Sequence, residues 1–365
     1  MKTIQVKSLK GNYRICVGRG LLEKSGSLVA GIFKSGTKLM IVSQKNLLPY
    51  LKIISSSLFK KGFEVYSHML PDGEVAKSGA ELFRLSCDLL EKGFERRDGI
   101  VAVGGGVVSD LAGFAASVYL RGIYYVNIAT TLLAQVDSAI GGKTAIDLKE
   151  GKNLMGSFWP PVLVVSDVGV LRSLPQRELC ASLGEVVKYG VIRDPALFRF
   201  LEKNHKKILQ KDLRTIEKVV LACTKIKTGV VSRDEFETKG ERAILNYGHT
   251  FAHGIEGSLG YKGLVHGEAV AIGMMMAAQL AADLGLCPKE LPWRQMRLLV
   301  SLKLPVSIKK FNLQASAILK TMMTDKKKNQ GALRFVLPRS IGKVAIEKNI
   351  PLENVRKILR LAGAK

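Results

Sequence analysis

"GIVAVGGGVVSDLAGFAA", residues 99–116, passes from an unbroken apolar run through Gly104, Gly105 and Gly106 into residues at helical spacing. An apolar run this short, closed by glycine, reads as a buried strand, and the helical spacing after the glycines makes it a strand–turn–helix unit. Glycines at such a turn let backbone N–H groups approach a phosphate at the helix N-terminus. Formally the stretch is GxGxxS: Ser109 stands at the third glycine position of a dinucleotide fingerprint, and no acidic residue ends the next strand. By itself it fits both a pyrophosphate cradle and a plain tight turn.

Similar β-branched runs flank it: "KLMIVSQ" (38–44), "FEVYSHML" (63–70), "YYVNIATT" (124–131) and "VLVVSD" (162–167). Between two of them, "AELFRLSCDLLEKGF" (80–94) repeats apolar residues at helical spacing. Strand, helix, strand in this order predicts a mainly parallel sheet covered by helices. The N-terminal alternation around Ile4 and Val6 reads as an opening strand and lacks the continuous apolar stretch of a signal peptide. Beyond residue 175 the β-branched runs stop, and 214–231, 245–256 and 266–285 read as helices. The composition shift divides the 365 residues into an α/β domain, 1–175, and a helical domain, 176–365. The chain ends in a short hairpin and a helix with Pro351 near its start.

A hydrophobic share of 47% with 24% charged residues describes a globular protein. The apolar helix 268–285 is interrupted by Gln279 and Asp283 before it reaches the about 20 apolar residues of a membrane span. Five scattered cysteines with no CxxC pair exclude a disulfide framework and a thiolate zinc site, and fit a reducing cytoplasm. The 56 Lys and Arg against 31 Asp and Glu leave a net charge of +25, which favours anionic partners. No recognisable nucleic-acid module accompanies that charge, so phosphorylated metabolites are preferred over specific nucleic-acid binding.

Three further segments carry candidate chemistry. In "ATTLLAQVDSAIGGKTAIDLKEGKN" (129–153), Lys143 follows two glycines and Lys152 follows one, a presentation suited to phosphate or carboxylate, or to solvated loops. In "LGEVVKYGVI" (183–192), Glu185 and Lys188 share a helix face. In "LNYGHTFAHGIE" (245–256), His249 and His253 stand four apart, the spacing of zinc-binding helices, but Thr250 replaces the glutamate of a metalloprotease motif. His266 opens the next apolar helix, so three of the five histidines fall within one short region. Clustered histidines beside a carboxylate point to a metal site, and spacing leaves open which of the three bind.

Together "GGGVVSD", "TTLLAQVDSAIGGKTA", "GKN", "GEVVKYG", "LNYGHTFAH" and "HGEAVAIG" resemble the 3-dehydroquinate synthase family of sugar phosphate cyclases, in order, over about residues 40–340. The resemblance implies an N-terminal NAD-binding α/β domain, an all-α C-terminal metal- and substrate-binding domain, and an active site in the cleft between them. It assigns the metal, commonly zinc with cobalt as an alternative, to Glu185, His249 and His266, and moves His253 to the substrate. The cofactor positions it implies are Asp72, Glu74, Lys77, Gly105, Gly106, Val107, Val108, Ser109, Asp110, Thr130, Thr131, Leu133, Asp137, Lys143, Lys152, Ser173, Leu174 and Glu178. Three positions depart from the pattern: Ser109 for glycine, adding a side chain beside the pyrophosphate; Ser173 for threonine; and Gln44 for the aspartate that commonly meets the adenosine.

The implied substrate set is Arg121, Lys143, Asn153, Lys188, Lys227, Arg242, Asn246, His253 and, from "DKKK", Lys326. Such convergent cations suit a ligand carrying both a phosphate and a carboxylate. The implied reaction converts 3-deoxy-D-arabino-heptulosonate 7-phosphate to 3-dehydroquinate and phosphate, in the shikimate route to aromatic amino acids. It proceeds by NAD-mediated transient oxidation, phosphate elimination, reduction and internal aldol closure, in a homodimer. The competing expectations are a cyclase making inosose or valiolone rings, and an NAD-dependent alcohol or glycerol dehydrogenase with a similar helical metal site.

Overall fold

The structure, a computed structural model, describes residues 1–323 and 333–365, and the backbone alone for 324–328. Contacts divide it into two compact units: Met1–Leu174 with Ile216–Phe236, and Pro175–Thr215 with Glu237–Lys365.

Unit 1 is built on strands β1 (Lys2–Val6), β2 (Tyr13–Gly18), β3 (Lys38–Gln44), β4 (Glu64–Leu70), β5 (Gly99–Gly104) and β6 (Tyr124–Ala129), joined by a β7–β8 hairpin (Lys143–Leu148 and Gly151–Phe158) and closed by β9 (Leu163–Asp167). Its helices are α1 (Ser25–Val29), α2 (Leu48–Phe59), α3 (Gly79–Glu91) and α4 (Gly106–Val118). The seven-stranded sheet runs β1-β2-β9-β6-β5-β3-β4, with only β1 antiparallel. From β3 the chain goes to β4 on one side and returns to β5 on the other, so strand order reverses between β3 and β5. Open α/β sheets bind ligands at the carboxyl ends of strands at such a switch point. The glycine turn ends β5 there, and Gln44 ends β3.

All six residues of β5 are buried. This is why the run shows no alternation: helices cover both faces of a central parallel strand. Met40, Ile100 and Ala102 from the sheet pack with Leu85, Leu111 and Phe114 from α3 and α4, each large side chain contributing about 1.5–3 kcal/mol. Sequence reading missed the β7–β8 hairpin, because its glycines and lysines look like loop. Its antiparallel pairing, from Lys143↔Phe158 to Leu148↔Gly151, decides the conformation instead.

Unit 2 contains α5 (Gln176–Ile192), α6 (Pro195–Leu209), α8 (His249–Ser258), α9 (His266–Asp283), α10 (Glu290–Ser301), α11 (Ala315–Lys328), a β10–β11 hairpin (Arg334–Ser340 and Lys343–Lys348) and α12 (Leu352–Leu361). Between α6 and α8, α7 (Leu213–Val231) runs from unit 2 into unit 1, where its residues from 216 onward pack. The segment 245–256 divides: Glu241–Asn246 is a 3-10 helix, and α8 starts only after Gly248 turns the chain at φ +82°. Among the described residues no helix is long and apolar enough to cross a membrane. The apolar α9 is a core helix, buried around most of its circumference as an all-round hydrophobic helix must be.

Two crossings in unit 2 bring backbones into contact. A Cβ at Gly267 of α9 would lie 1.9 Å from the carbonyl oxygen of Ala181 in α5, and one at Gly273 would lie 2.1 Å from that of Gly248 at the start of α8. Replacing Gly267 with Ala should therefore force α5 and α9 apart, destabilising unit 2 by about 3 kcal/mol in urea unfolding.

Candidate functional site

In unit 2 three segments deliver one cluster. Glu185 lies beside Gly184 on α5, His249 beside Gly248 at the start of α8, and His266 beside Gly267 at the start of α9. One donor atom from each of the three lies within 4.8 Å of the others. His253, one turn after His249, is outside that group, although the two rings are 5.6 Å apart.

Nε2 of His249 and Nε2 of His266 stand 3.3 Å and 3.4 Å from Oε1 of Glu185. The far ring nitrogens have other partners: Nδ1 of His249 donates to the carbonyl of Tyr247 at 3.2 Å, and Nδ1 of His266 to Oε1 of Glu256 at 3.1 Å. Each Nε2 is then the ring nitrogen that faces the carboxylate. Both oxygens of Glu185 are buried without an aligned hydrogen bond among the described residues, and Lys188 Nζ is their other close neighbour. A buried carboxylate packed against two imidazoles calls for positive charge, carried by a proton on a ring or by a cation among the three. One carboxylate and two imidazoles are a donor set for a divalent cation such as zinc.

The proton equilibria express the same demand. Burial works to raise the Glu185 carboxyl, but the Lys188 ammonium and then the two imidazoles hold it well below its usual range. Burial lowers His249 despite Glu185. For His266, burial opposes charge, but Glu185 and Glu256 outweigh it and lift the ring to about 10. The start of α9 is held by Arg177, which donates to both oxygens of Glu268 at 2.9 and 2.8 Å and to the carbonyl of Gly263 at 3.0 Å. Glu268 in turn accepts from the backbone N–H of Val265 at 3.2 Å. Of the remaining expected residues in this unit, Lys188 and Arg242 are each 2% exposed. Arg242 Nε lies 3.4 Å from Glu237, Asn246 is exposed at the end of the 3-10 turn, and Glu178 is in the first turn of α5. Lys326 lies outside the side chains described.

In unit 1, α4 begins at Gly106 with no side-chain cap, so its first N–H groups are open to an anion. Val107 is half-buried and Val108 is core. Thr130 is 5% exposed, and the Thr131 hydroxyl accepts from the N–H of Ala134 at 3.1 Å, ordering the turn that carries Leu133. A Cβ on Gly105 would come within 3.1 Å of Thr131, and one on Gly106 within 3.3 Å of Ser138, so bare backbone lines the turn. Ser109 is 3% exposed, and its hydroxyl donates back to the carbonyl of Gly106 at 3.1 Å. Gln44 donates to the carbonyl of Pro71 at 2.9 Å, a bond that an ionised aspartate could not make. Ser173 bonds to Tyr50 at 2.7 Å, and Leu174 is buried.

Lys77 gathers the rest. It is 4% exposed and reaches Asp110 at 2.8 Å, the side-chain oxygen of Asn153, Glu74 at 3.8 Å and Asp147 at 3.9 Å. Lys152 meets Glu74 at 3.3 Å, while Asp72 is exposed in the same loop. Because Lys77 takes the oxygen of Asn153, that amide presents its NH2 group elsewhere. Lys227 donates to the side chain and the carbonyl of Asp137, both at 2.7 Å. Asn153 and Arg121 hold left-handed backbone, φ +56° and +66°, the kind of strain that concentrates at functional positions. Lys143, at the start of β7, is exposed. Burial pushes Asp110 up to about 6, with Lys77 pulling against it. Burial also works against the Lys77 ammonium, yet Asp110 and the other carboxylates raise it overall.

Sequence reading missed Arg177, Glu256 and Glu268. Glu256 had a signal: it falls seven residues after His249, on the same helix face. The partners of Arg177 are distant in sequence, so nothing local marked it.

Two family models match the chain, described as 3-dehydroquinate synthase N-terminal over residues 67–181 and 3-dehydroquinate synthase C-terminal over residues 182–328. The 3-dehydroquinate synthase of Thermodesulfovibrio yellowstonii is 44% identical over 360 residues, 98% of this chain and 99% of that one. Among solved structures, the 2-epi-5-epi-valiolone synthase of Streptomyces hygroscopicus, with NAD+ and Zn2+ bound, superposes with a TM-score of 0.89 at 26% identity, covering 98% of both chains. A 2-deoxy-scyllo-inosose synthase complexed with carbaglucose-6-phosphate, NAD+ and Co2+ superposes with a TM-score of 0.88 at 26% identity, covering 99% of this chain and 100% of that one.

Replacing Lys77 with Met leaves Asp110 in a largely buried position without its cation. Urea unfolding should show a loss of about 3 kcal/mol, and adding Asp110→Asn should recover part of it.

Proposed function

The chain belongs to the 3-dehydroquinate synthase family, and from that premise we propose how its residues divide the work of converting 3-deoxy-D-arabino-heptulosonate 7-phosphate to 3-dehydroquinate and phosphate. It is a phosphate-eliminating lyase that uses NAD and a divalent metal, zinc or cobalt. The observation that carries the assignment is the buried carboxylate of Glu185 faced by the Nε2 atoms of two imidazoles, with Lys188 beside it.

Glu185, His249 and His266 hold the metal. The glycine turn, Thr130, Thr131 and the Lys77 network supply the nucleotide cradle. The metal supplies Lewis acidity toward a substrate hydroxyl, and NAD a hydride acceptor restored within each turnover. The protein's own part is charge placement. Lys188, Arg121, Asn246, His253 and Lys326 grip the phosphate, stabilising the dianion as its bond to carbon breaks. Lys143 and Arg242 hold the carboxylate, for which the planar guanidinium offers two parallel donors. Asn153, its oxygen already engaged by Lys77, donates its NH2 group, and Lys227 keeps Asp137 in place. Both lysines are buried and paired, so they are set before the substrate arrives and cost no reorganisation during the reaction.

A sugar phosphate cyclase acting on a substrate without a carboxylate would have little use for Arg242 with Lys143. A cytoplasmic location and a homodimeric assembly are what the family leads us to expect.

Incubation with the heptulosonate phosphate, NAD and zinc should release phosphate and cyclic product in equal amounts, with no net NADH. A chelator should abolish turnover, and zinc or cobalt should restore it. Accumulating NADH would indicate a dehydrogenase instead, and turnover of a carboxylate-free sugar phosphate in preference would indicate a different cyclase. Replacing Arg242 with Ala should lower kcat/KM by about 100-fold while NAD affinity, measured by calorimetry, stays at the wild-type value.

A further inference from the structure

Of the three side chains that converge in unit 2, His266 has the least cover. Its side chain is 39% exposed, against 13% for His249 and 1% for Glu185. It also opens α9, so no preceding turn of its own helix supports the ring. The His249 ring is steadied from within its own segment, by the Tyr247 carbonyl two residues earlier. Arg177 and Glu268 fasten the backbone at the start of α9 and leave the His266 ring to be fixed from elsewhere.

That contact comes from another helix. Oε1 of Glu256 lies 3.1 Å from Nδ1 of His266, and Glu256 is 8% exposed. His249, His253 and Glu256 occupy positions i, i+4 and i+7 of α8, so one helix face carries a ligand and the group that orients another helix's ligand.

We propose that Glu256 is a positioning residue of the metal centre, accepting the Nδ1–H of His266 and so holding the ring with Nε2 aimed toward Glu185. The proposal rests on the ligand assignment of Glu185, His249 and His266. Without the carboxylate the ring is released to rotate or to carry its proton on Nε2, and either change removes a ligand. The carboxylate also makes Nε2 the stronger donor to a cation.

The test is cobalt(II) binding to metal-free protein, titrated against a chelating indicator and read also by the visible cobalt spectrum. Glu256→Ala should weaken affinity about 10–100-fold and alter the spectrum. Glu256→Gln, equal in size and still an acceptor but uncharged, should fall between that variant and wild type, and it serves should the alanine variant fail to fold. Wild-type affinity and spectrum in either folded variant overturns the proposal. Glu185→Ala, titrated alongside, should lose binding. If instead it binds cobalt as wild type does, the ligand set itself is wrong and the role of Glu256 falls with it; if it loses binding while Glu256→Ala does not, only the role of Glu256 falls.

Discussion

The cluster of Glu185, His249 and His266 depends on backbones approaching more closely than side chains ordinarily permit. A Cβ at Gly267 would sit 1.9 Å from the Ala181 carbonyl, and one at Gly273 would sit 2.1 Å from that of Gly248. Ordinary helix packing keeps axes about 8–10 Å apart, with the spacing set by the side chains at the contact. Taking those side chains away draws α5, α8 and the start of α9 together, so that Glu185, His249 and His266 reach a common point with ordinary side-chain lengths. The pairs Gly184–Glu185, Gly248–His249 and His266–Gly267 are therefore one device used three times: a residue that removes bulk next to a residue that supplies one donor of the cluster.

Unit 1 solves a different problem with buried charge. Lys77 and Asp110 sit where water reaches poorly, and a lone buried charge costs far more than a matched pair. Lys77 meets Asp110, Asn153, Glu74 and Asp147 at once, which ties the loop after β4, the first turns of α4 and the β7–β8 hairpin into one network. Such a network adds little net stability but fixes positions, and positions are what phosphate elimination needs from a protein whose bound groups carry the redox and Lewis-acid chemistry. The strained backbone at Arg121 and Asn153 is consistent with side chains held for a ligand.

Much of the candidate site was legible because its segments are short and local. The glycine turn, the GExxK helix and the histidine cluster each appear as contiguous patterns. Helical spacing left one question open: His253 stands four residues from His249, the distance of a co-ligand, and the donor group closes instead with His266 from another helix. Periodicity reports which residues share a helix face, and says nothing about which face of another helix comes to meet it. Arg177 escaped for the same reason, since its partners Glu268 and Gly263 lie far along the chain. The side chains of Ser109 and Gln44 both donate to backbone carbonyls, partners that no local pattern named.

The sequence by itself determined the alternation of strands and helices, the covered parallel sheet, the helical character of the second half and the family. All of these follow from hydrophobic period, glycine placement and contiguous motifs, which are written locally. Tertiary structure decided that residues from 216 to 236 join the first unit, that the lysine- and glycine-rich stretch after β6 forms a hairpin, and that Glu256 reaches His266. Each of these is a pairing between two stretches of chain, and its energy depends on both partners, so neither stretch announces it alone.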